Sequence, residues 1–92
     1  MDFELESTGW KMSLGILNQG DAEVVAEGVY AECKTGLHRN SAIVRAAIKA
    51  GWLIDPKLSD DDINATTPPG RIGWMADCIA SSFLEQIAIP KN

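Results

Sequence analysis

The residues that could perform acid–base, nucleophilic or metal chemistry are few in this sequence and are widely separated. The chain contains one histidine, His38, and two cysteines, Cys33 and Cys78. A catalytic histidine needs an orienting partner and a cleft, whereas the segment GLHRN around His38 has the composition of a turn between helices. The three residues also lack the paired spacing of structural zinc sites. We therefore predict neither a catalytic site nor a zinc site among them.

Acidic and glycine residues also fail to form a recognisable motif. Asp60, Asp61 and Asp62 are consecutive, whereas a calcium-binding loop of the EF-hand type places its acidic residues at alternate positions around a glycine. The eight glycines are scattered, and no phosphate-binding loop is present. The sequence therefore predicts a protein that is not an enzyme and that holds no cofactor and no metal.

Length and charge restrict the possible partners. A chain of 92 residues corresponds to a single small domain, residues 1–92. Its 13 acidic and 8 basic residues give a net charge of −5, which disfavours non-specific binding to nucleic acid or to an anionic membrane. No apolar run approaches the roughly 20 residues needed to span a bilayer, and the N-terminal MDFELE has no signal-peptide pattern. We expect a cytoplasmic protein with reduced cysteines and no membrane partner.

The N-terminal part predicts one strand and one ambiguous segment. FELES alternates apolar and acidic residues, as a short strand does. In the following segment, residues 10–17, Trp10, Met12 and Leu14 alternate, but Trp10, Leu14 and Leu17 also lie at helical spacing. We favour a helix here. A short chain buries a limited fraction of its surface, so a homodimer is an open alternative to a monomer.

Three further helices are expected. Asp21 is the predicted N-cap of a helix over residues 22–34, with Gly36 as its stop signal. Ser41 or Asn40 is expected to cap a second helix that ends near Ala50. A polar connector follows, in which Leu58 and Ile63 are expected to reach the core. Thr67 is the predicted cap of a last helix, which has Pro68 and Pro69 in its first turn, extends to about Ile87 and cannot continue past Pro90.

These patterns predict a mainly α fold, a compact bundle of three to four short helices with a short N-terminal strand. The last helix has the clearest pattern, because its apolar residues follow steps of three and four. The predicted core residues of that helix are Ile72, Met75, Ala76, Ile79, Phe83 and Ile87. In the first long helix, Val24, Gly28 and Ala31 form a second, small-residue stripe, which indicates a helix packed between neighbours.

Positive charge gathers between Cys33 and Ile54. This stretch contains four basic residues and no acidic one: Lys34, Arg39, Arg45 and Lys49. Such a patch could contact nucleic acid or an acidic partner, or it could be the solvated side of a helix. We favour the solvated side, because four spaced cations in an acidic chain provide little phosphate neutralisation.

The same stretch, ECKTGLHRNSAIVRAAIKAGW, resembles the two-helix part of ribbon-helix-helix DNA-binding regulators. Thr35-Gly36, Ser41, Arg45 and Ala47 stand near the positions of that motif, although the turn has one residue too many. The resemblance implies a dimer in which KMSLGIL is the ribbon strand and faces the DNA groove. That face would offer one cation, Lys11, where base contacts need several donors.

The outer side of the last helix offers a different kind of surface. Trp74 lies opposite the predicted core, near Asp77 and Ser81, with Leu84 at the edge. A tryptophan in this place either folds back against its own chain or anchors a protein partner, since tryptophan is enriched among interface hot spots. Trp10 and Trp52 are further candidates for such an anchor. We predict that Trp74, Asp77, Ser81 and Leu84 bind another protein.

A second resemblance agrees with protein binding. The order of the segments is an acidic strand, GWK, a helix, GD, a helix, RAAIKAGW and finally PPGRIGWMADCIASSFLEQIAIPKN. This order is similar to that of small accessory proteins of tailed bacteriophages, of the tail assembly chaperone type. The resemblance implies a non-enzymatic helper that binds another phage protein. A small acidic phage protein that inhibits a host defence system by mimicking nucleic-acid phosphates is the alternative.

Overall fold

The computed structural model describes residues 1–88 and consists of helices with a small sheet. Its elements follow the chain in this order: β1 Asp2–Leu5, β2 Trp10–Leu14, α1 Gln19–Val29, α2 Gly36–Lys49, β3 Leu53–Asp55, α3 Asp60–Ala65 and α4 Gly70–Ile87. The mainly α prediction is confirmed, although the strand content exceeds the single strand expected. No helix within residues 1–88 is both long enough and apolar enough to cross a membrane. Pro90 lies outside the described residues.

The sheet has three antiparallel strands in the order β1-β2-β3. The prediction of a helix over residues 10–17 is wrong, because Trp10–Leu14 is the central strand. Its alternation places Met12 and Leu14 on the buried side, each only 1% exposed, and leaves Lys11 facing solvent. The helical spacing was coincidental, since β2 pairs along its length with β1 and at its end, at Ser13 and Leu14, with β3.

Helix α1 starts and ends earlier than the sequence indicated. Asn18, not Asp21, is its N-cap: the side-chain oxygen of Asn18 accepts a hydrogen bond from the backbone N–H of Asp21 at 2.8 Å. The helix ends at Val29, so Gly36 is not its stop signal.

Helix α2 also starts earlier than predicted. Thr35 is its N-cap and accepts from the N–H of His38 at 3.1 Å. Gly36, Asn40 and Ser41 therefore lie inside the helix rather than before it, and the Ser41 hydroxyl donates to the carbonyl of His38 at 2.9 Å.

Helices α1 and α2 approach closely at Gly28. A Cβ atom placed on Gly28 would lie 2.5 Å from the Cβ of Ala46 and 2.6 Å from the carbonyl oxygen of Ala42. Only a residue without a side chain allows this contact between the two backbones. The predicted small-residue stripe is thus confirmed at Gly28, a buried residue of α1 that faces α2.

Helix α4 provides the largest part of the core. It begins at Gly70, with Pro69 in the N-cap position and no side-chain cap, so the predicted cap Thr67 is wrong. Ile63 of α3 reaches the core as expected, and Leu58 is partly buried against it. Ile87 is 43% exposed and does not join the core. The other predicted core residues of α4 are buried: Ile72, Met75, Ala76, Ile79 and Phe83.

Trp52 links the helices to the sheet. Its side chain is 1% exposed, and its indole N–H donates to the carbonyl oxygen of Gly15 at 3.0 Å. In return, the backbone N–H of Gly15 donates to the carbonyl oxygen of Trp52 at 2.8 Å. Trp52 is therefore a core residue, and its prediction as a partner anchor is wrong.

Candidate functional site

The outward side of α4 carries the four residues predicted to bind a partner. Asp77, Ser81 and Leu84 are exposed, and Leu84 retains 50% of its accessible surface. At about 100° per residue, these three side chains fall within an arc of about 60° on the side of the helix opposite its buried residues. Trp74 lies at one flank of the same arc. We call Trp74, Asp77, Ser81 and Leu84 the α4 stripe.

Trp74 packs against its own chain and remains partly exposed. Its ring lies 6.3 Å from that of Trp10 at the start of β2, with an interplanar angle of 46°, a tilted arrangement typical of aromatic pairs. The sequence left open whether Trp74 folds back or projects outward. Trp74 thus folds back on Trp10 and still keeps part of its surface accessible.

Two contacts fix how the sheet lies along α4. The Trp10–Trp74 pair is one of them. The other joins Ser82, one of the buried polar residues of α4, to the sulfur of Met1 at 3.5 Å. These contacts hold Trp10 of β2 and Met1, which precedes β1, against α4 at positions about two turns apart.

The β1 edge of the sheet is incompletely covered. Phe3 and Leu5 point to the same side of the sheet as Met12, yet both are partly exposed whereas Met12 is buried. Sequence reasoning recognised the alternation in β1 but gave these residues no role. No local sequence signal marks them, because their exposure follows from the sheet order within residues 1–88, in which β1 is an edge strand.

The solvent-facing side of the sheet is acidic. The strand pairing places the carboxylates of Asp2, Glu4 and Asp55 on the same side of the sheet as the ammonium group of Lys11, on a shallow concave surface. The hydroxyl of Ser13 donates a hydrogen bond to the carboxylate of Asp2. The polar residues of this surface are Asp2, Glu4, Lys11, Ser13 and Asp55.

Two of the four basic residues between Cys33 and Ile54 have hydrogen-bonding or ion-pair partners within the chain. Arg45 donates from Nε to Asp60 at 3.0 Å and from Nη2 to Asn64 at 2.8 Å, which joins α2 to α3. The ammonium of Lys49 lies 3.8 Å from the carboxylate of Glu27. These contacts reduce the positive charge that α2 presents to solvent.

The remaining two basic residues, Lys34 and Arg39, are exposed at the start of α2 and on the segment before it. The patch is thus divided between two residues with partners inside the chain and two solvated cations.

The segment predicted as a DNA-facing ribbon lies between two strands of its own chain. β1 pairs with β2 on one side, and β3 pairs with the end of β2 on the other. Pairing of β2 with the same strand of a second copy would require one of these neighbours to leave. Lys11 stands opposite Glu4, so the single cation on this face has a carboxylate beside it.

The single histidine and the two cysteines lie on different parts of the fold: His38 in α2, Cys33 between α1 and α2, and Cys78 in α4. His38 is exposed in the first turn of α2, and both cysteines are free thiols. Burial, and secondarily the charge of Asp77, raise the pKa of the Cys78 thiol. Asp62 completes the capping box of α3, whose N-cap is Ser59: the backbone N–H of Ser59 donates to the Asp62 carboxylate at 2.9 Å, which lowers the pKa of that carboxyl group.

No group of three or more histidine, cysteine, aspartate or glutamate residues in the described part of the chain is arranged to hold a metal ion. No protein-family model, curated protein or solved structure matches this chain.

Proposed function

We propose that this chain is a non-enzymatic protein that binds another protein through the α4 stripe and the adjoining edge of the sheet. The observation that carries the proposal is that Trp74, packed on Trp10 and still partly exposed, shares the outward side of α4 with Leu84, which is 50% exposed. Aromatic side chains with one covered and one accessible flank are typical of interface hot spots, because the covered flank fixes the ring in advance of binding.

The scarcity of chemical groups supports the non-enzymatic part of the proposal. The one histidine stands in an exposed first turn, and the partly buried cysteine, Cys78, has a raised pKa, which lowers its nucleophilicity near neutral pH. Neither residue has the oriented partner that acid–base or nucleophilic catalysis needs.

The kind of partner follows from the sequence resemblance. If the chain acts as accessory proteins of the tail assembly chaperone type do, its partner is another bacteriophage protein in the cytoplasm of the host. The identity of the neighbouring genes tests this part, because tail genes would support an assembly role, whereas a host-defence context would support an inhibitor.

Partner capture with matched leucine variants tests the binding surface. The purified chain, tagged at its C-terminus so that β1 stays unmodified, is used to isolate a partner, which is then produced separately and titrated by calorimetry. We expect Leu84→Asp to weaken binding at least tenfold, as is usual for a hot spot of about 1.4 kcal/mol or more. The control is Leu37→Asp, because Leu37 is 68% exposed on α2 and lies outside the stripe.

Trp74→Ala is the second variant, and it should abolish capture while leaving helicity intact. Since Trp74 also packs against Trp10, its loss could act through folding, which is why Leu84 gives the cleaner result. Equal affinity of wild type, Leu84→Asp and Leu37→Asp for the partner would overturn the proposed surface.

The acidic inhibitor is a second candidate, and the solvent-facing side of the sheet favours it. Three carboxylates and a single lysine give this side of the sheet a net negative charge. Like the phosphates of a nucleic acid, a surface of this charge is attracted to the basic site of a nucleic-acid-binding protein. If the chain occupied such a site, duplex DNA would compete with it for the partner. A competition titration at low salt distinguishes the two candidates, since DNA leaves an assembly partner bound.

The ribbon-helix-helix regulator remains a third hypothesis, with less support. Arg45 and Lys49 have carboxylate partners within the chain, and β2 has strand neighbours on both sides. Salt-dependent binding to random duplex DNA that is lost in Arg45→Ala/Lys49→Ala would favour this hypothesis over protein binding.

A further inference from the structure

We infer that the open edge of β1 accepts an extended segment of the partner as a fourth strand, and that this segment alternates basic and apolar residues. The inference rests on the proposed protein-binding function and specifies the chemistry of the occupant. Three features of β1 carry it: the direction of its backbone groups, the exposure of its inward side chains and the charge of its outward side chains.

The backbone of β1 presents unpaired hydrogen-bonding groups along one side. Met1 and Leu14 exchange two hydrogen bonds, of 2.9 and 2.8 Å, so they form a hydrogen-bonded pair. Because such pairs alternate along an antiparallel ladder, the N–H and C=O groups of Asp2 and Glu4 point away from β2. No other element within residues 1–88 supplies a backbone hydrogen bond to them. An added strand is the structure that satisfies a row of this kind.

The inward side of β1 lacks the cover that the rest of the sheet has. Phe3 and Leu5 are partly exposed, although Met12, which pairs with Phe3, is buried. A fourth strand would place its own inward side chains next to Phe3 and Leu5. Every second residue of the added strand should therefore be apolar.

The outward side of β1 selects basic residues. Asp2 and Glu4 point to solvent, with Asp55 on the same side of the sheet. Residues of an added strand opposite these positions would have side chains about 5 Å away, where opposite charges stabilise and like charges destabilise. The four residues of β1 span about 13 Å, so the contacting part of the partner is about four to six residues long.

The same charges disfavour a second copy of this chain as the occupant. Antiparallel pairing of two β1 edges would bring the Asp2 and Glu4 carboxylates of one copy against those of the other. Charged residues on a short edge strand are a common means by which proteins prevent such self-association.

Titration of the isotope-labelled full chain with synthetic peptides, followed by backbone NMR, tests the inference. The probes are two capped heptapeptides, one of alternating lysine and valine and one of alternating glutamate and valine. We expect the lysine peptide alone to shift the amide resonances of residues 2–5. Its dissociation constant should be on the order of 10⁻⁴ to 10⁻³ M, since ordering a short peptide offsets most of its contacts. Added salt should weaken it.

Three variants separate backbone pairing from charge. Glu4→Pro removes an outward N–H, which an edge strand tolerates, and should abolish binding of the lysine peptide. Glu4→Lys keeps the N–H and reverses the charge, so it should weaken the lysine peptide about three- to tenfold and strengthen the glutamate peptide. Glu23→Lys on α1 makes the same charge change away from the sheet and should alter neither affinity.

The outcomes distinguish this inference from the function on which it rests. Peptide-induced shifts confined to α4, equal binding of both peptides, or no binding of either one would overturn the fourth strand. Concentration-dependent dimerisation in the ultracentrifuge that Glu4→Pro abolishes would assign the edge to a second copy and also overturn it. The protein-binding function is judged separately, by the Leu84→Asp and Leu37→Asp comparison with the isolated partner.

Discussion

Replacement of Gly28 by alanine should destabilise this protein, although alanine is the better helix former. The free energy of unfolding gains about 1 kcal/mol from helix propensity when glycine becomes alanine inside a helix. Against this, the new methyl group would lie 2.5 Å from the Cβ of Ala46 and 2.6 Å from the backbone oxygen of Ala42. Neither neighbour is the end of a flexible side chain, so α1 and α2 must move apart.

Overpacking of a core usually costs about 1–3 kcal/mol, and a backbone contact places Gly28→Ala at the upper end of that range. After the propensity gain, we expect a net loss of about 2 kcal/mol, with a fall in melting temperature of about 8–16 °C for a domain of this size. The matched control is Gly20→Ala in the first turn of the same helix. Its new methyl group would meet no atom closer than 3.6 Å, so it should stabilise the protein by about 0.5 kcal/mol.

The measurement is urea unfolding followed by tryptophan fluorescence and by far-ultraviolet circular dichroism, with identical curves from both probes as the test of two-state behaviour. In a double-mutant cycle, Ala46→Gly should cost less stability in the Gly28→Ala background than in wild type, because there it also removes one of the two close contacts and leaves only the carbonyl of Ala42. If Gly28→Ala proved as stable as wild type or more so, the close approach of α1 and α2 would be refuted.

Two further predictions concern titratable groups. The pKa of Asp62 is lowered in the folded protein, so its contribution to stability is present above the unfolded pKa and is lost as the pH falls through the folded value. The urea midpoint of Asp62→Asn should therefore lie below that of wild type near neutral pH, and the two should converge in acid; a constant difference would contradict this account. Because burial and Asp77 raise the pKa of Cys78, iodoacetamide should alkylate this thiol more slowly in the folded protein than in urea, as measured by peptide mass spectrometry. Asp77→Asn should accelerate the folded-state reaction, and an unchanged rate would show that the carboxylate has no effect on the thiol.

The parts of the fold that could be predicted are those decided by local pattern over several turns. The α4 core residues Ile72, Met75, Ala76 and Ile79 repeat at helical spacing over two turns and more, and tertiary context did not alter that pattern. The end of α2 near Ala50 could also be predicted, because a glycine follows it. Gly51 adopts a positive φ of 73°, as a glycine that terminates a helix commonly does.

Errors arose where one residue type serves two roles. Gly36 was interpreted as a helix stop, but it stands at the first position of α2, where its φ is not in the left-handed region. Thr35 and Ser41 are both good caps, and only the whole helix shows that Thr35 caps while Ser41 bonds back to the preceding turn. Asn18 was overlooked for the same reason, since Asp21 is an equally good cap by residue type.

The candidate site could be predicted in its residues but not in its neighbours. The outward positions of Asp77, Ser81 and Leu84 follow from the helical period alone. The packing of Trp74 on Trp10 depends on a contact across 64 positions of sequence, and the pairing of Arg45 with Asp60 crosses a connector and a strand. Such contacts are set by the tertiary arrangement, and no local signal in a single sequence encodes them.

The placement of the three tryptophans gives this molecule internal optical reporters of different depth. Trp52 emits from the interior and is tied to Gly15, so its blue-shifted fluorescence should follow global unfolding and ignore events at the surface. Trp10 and Trp74 are close enough, at 6.3 Å, for their transitions to couple and to produce a near-ultraviolet dichroic signal. Occupation of the neighbouring surface should change that coupled signal while the Trp52 emission stays constant, so complex formation and denaturation can be followed separately in one unlabelled sample.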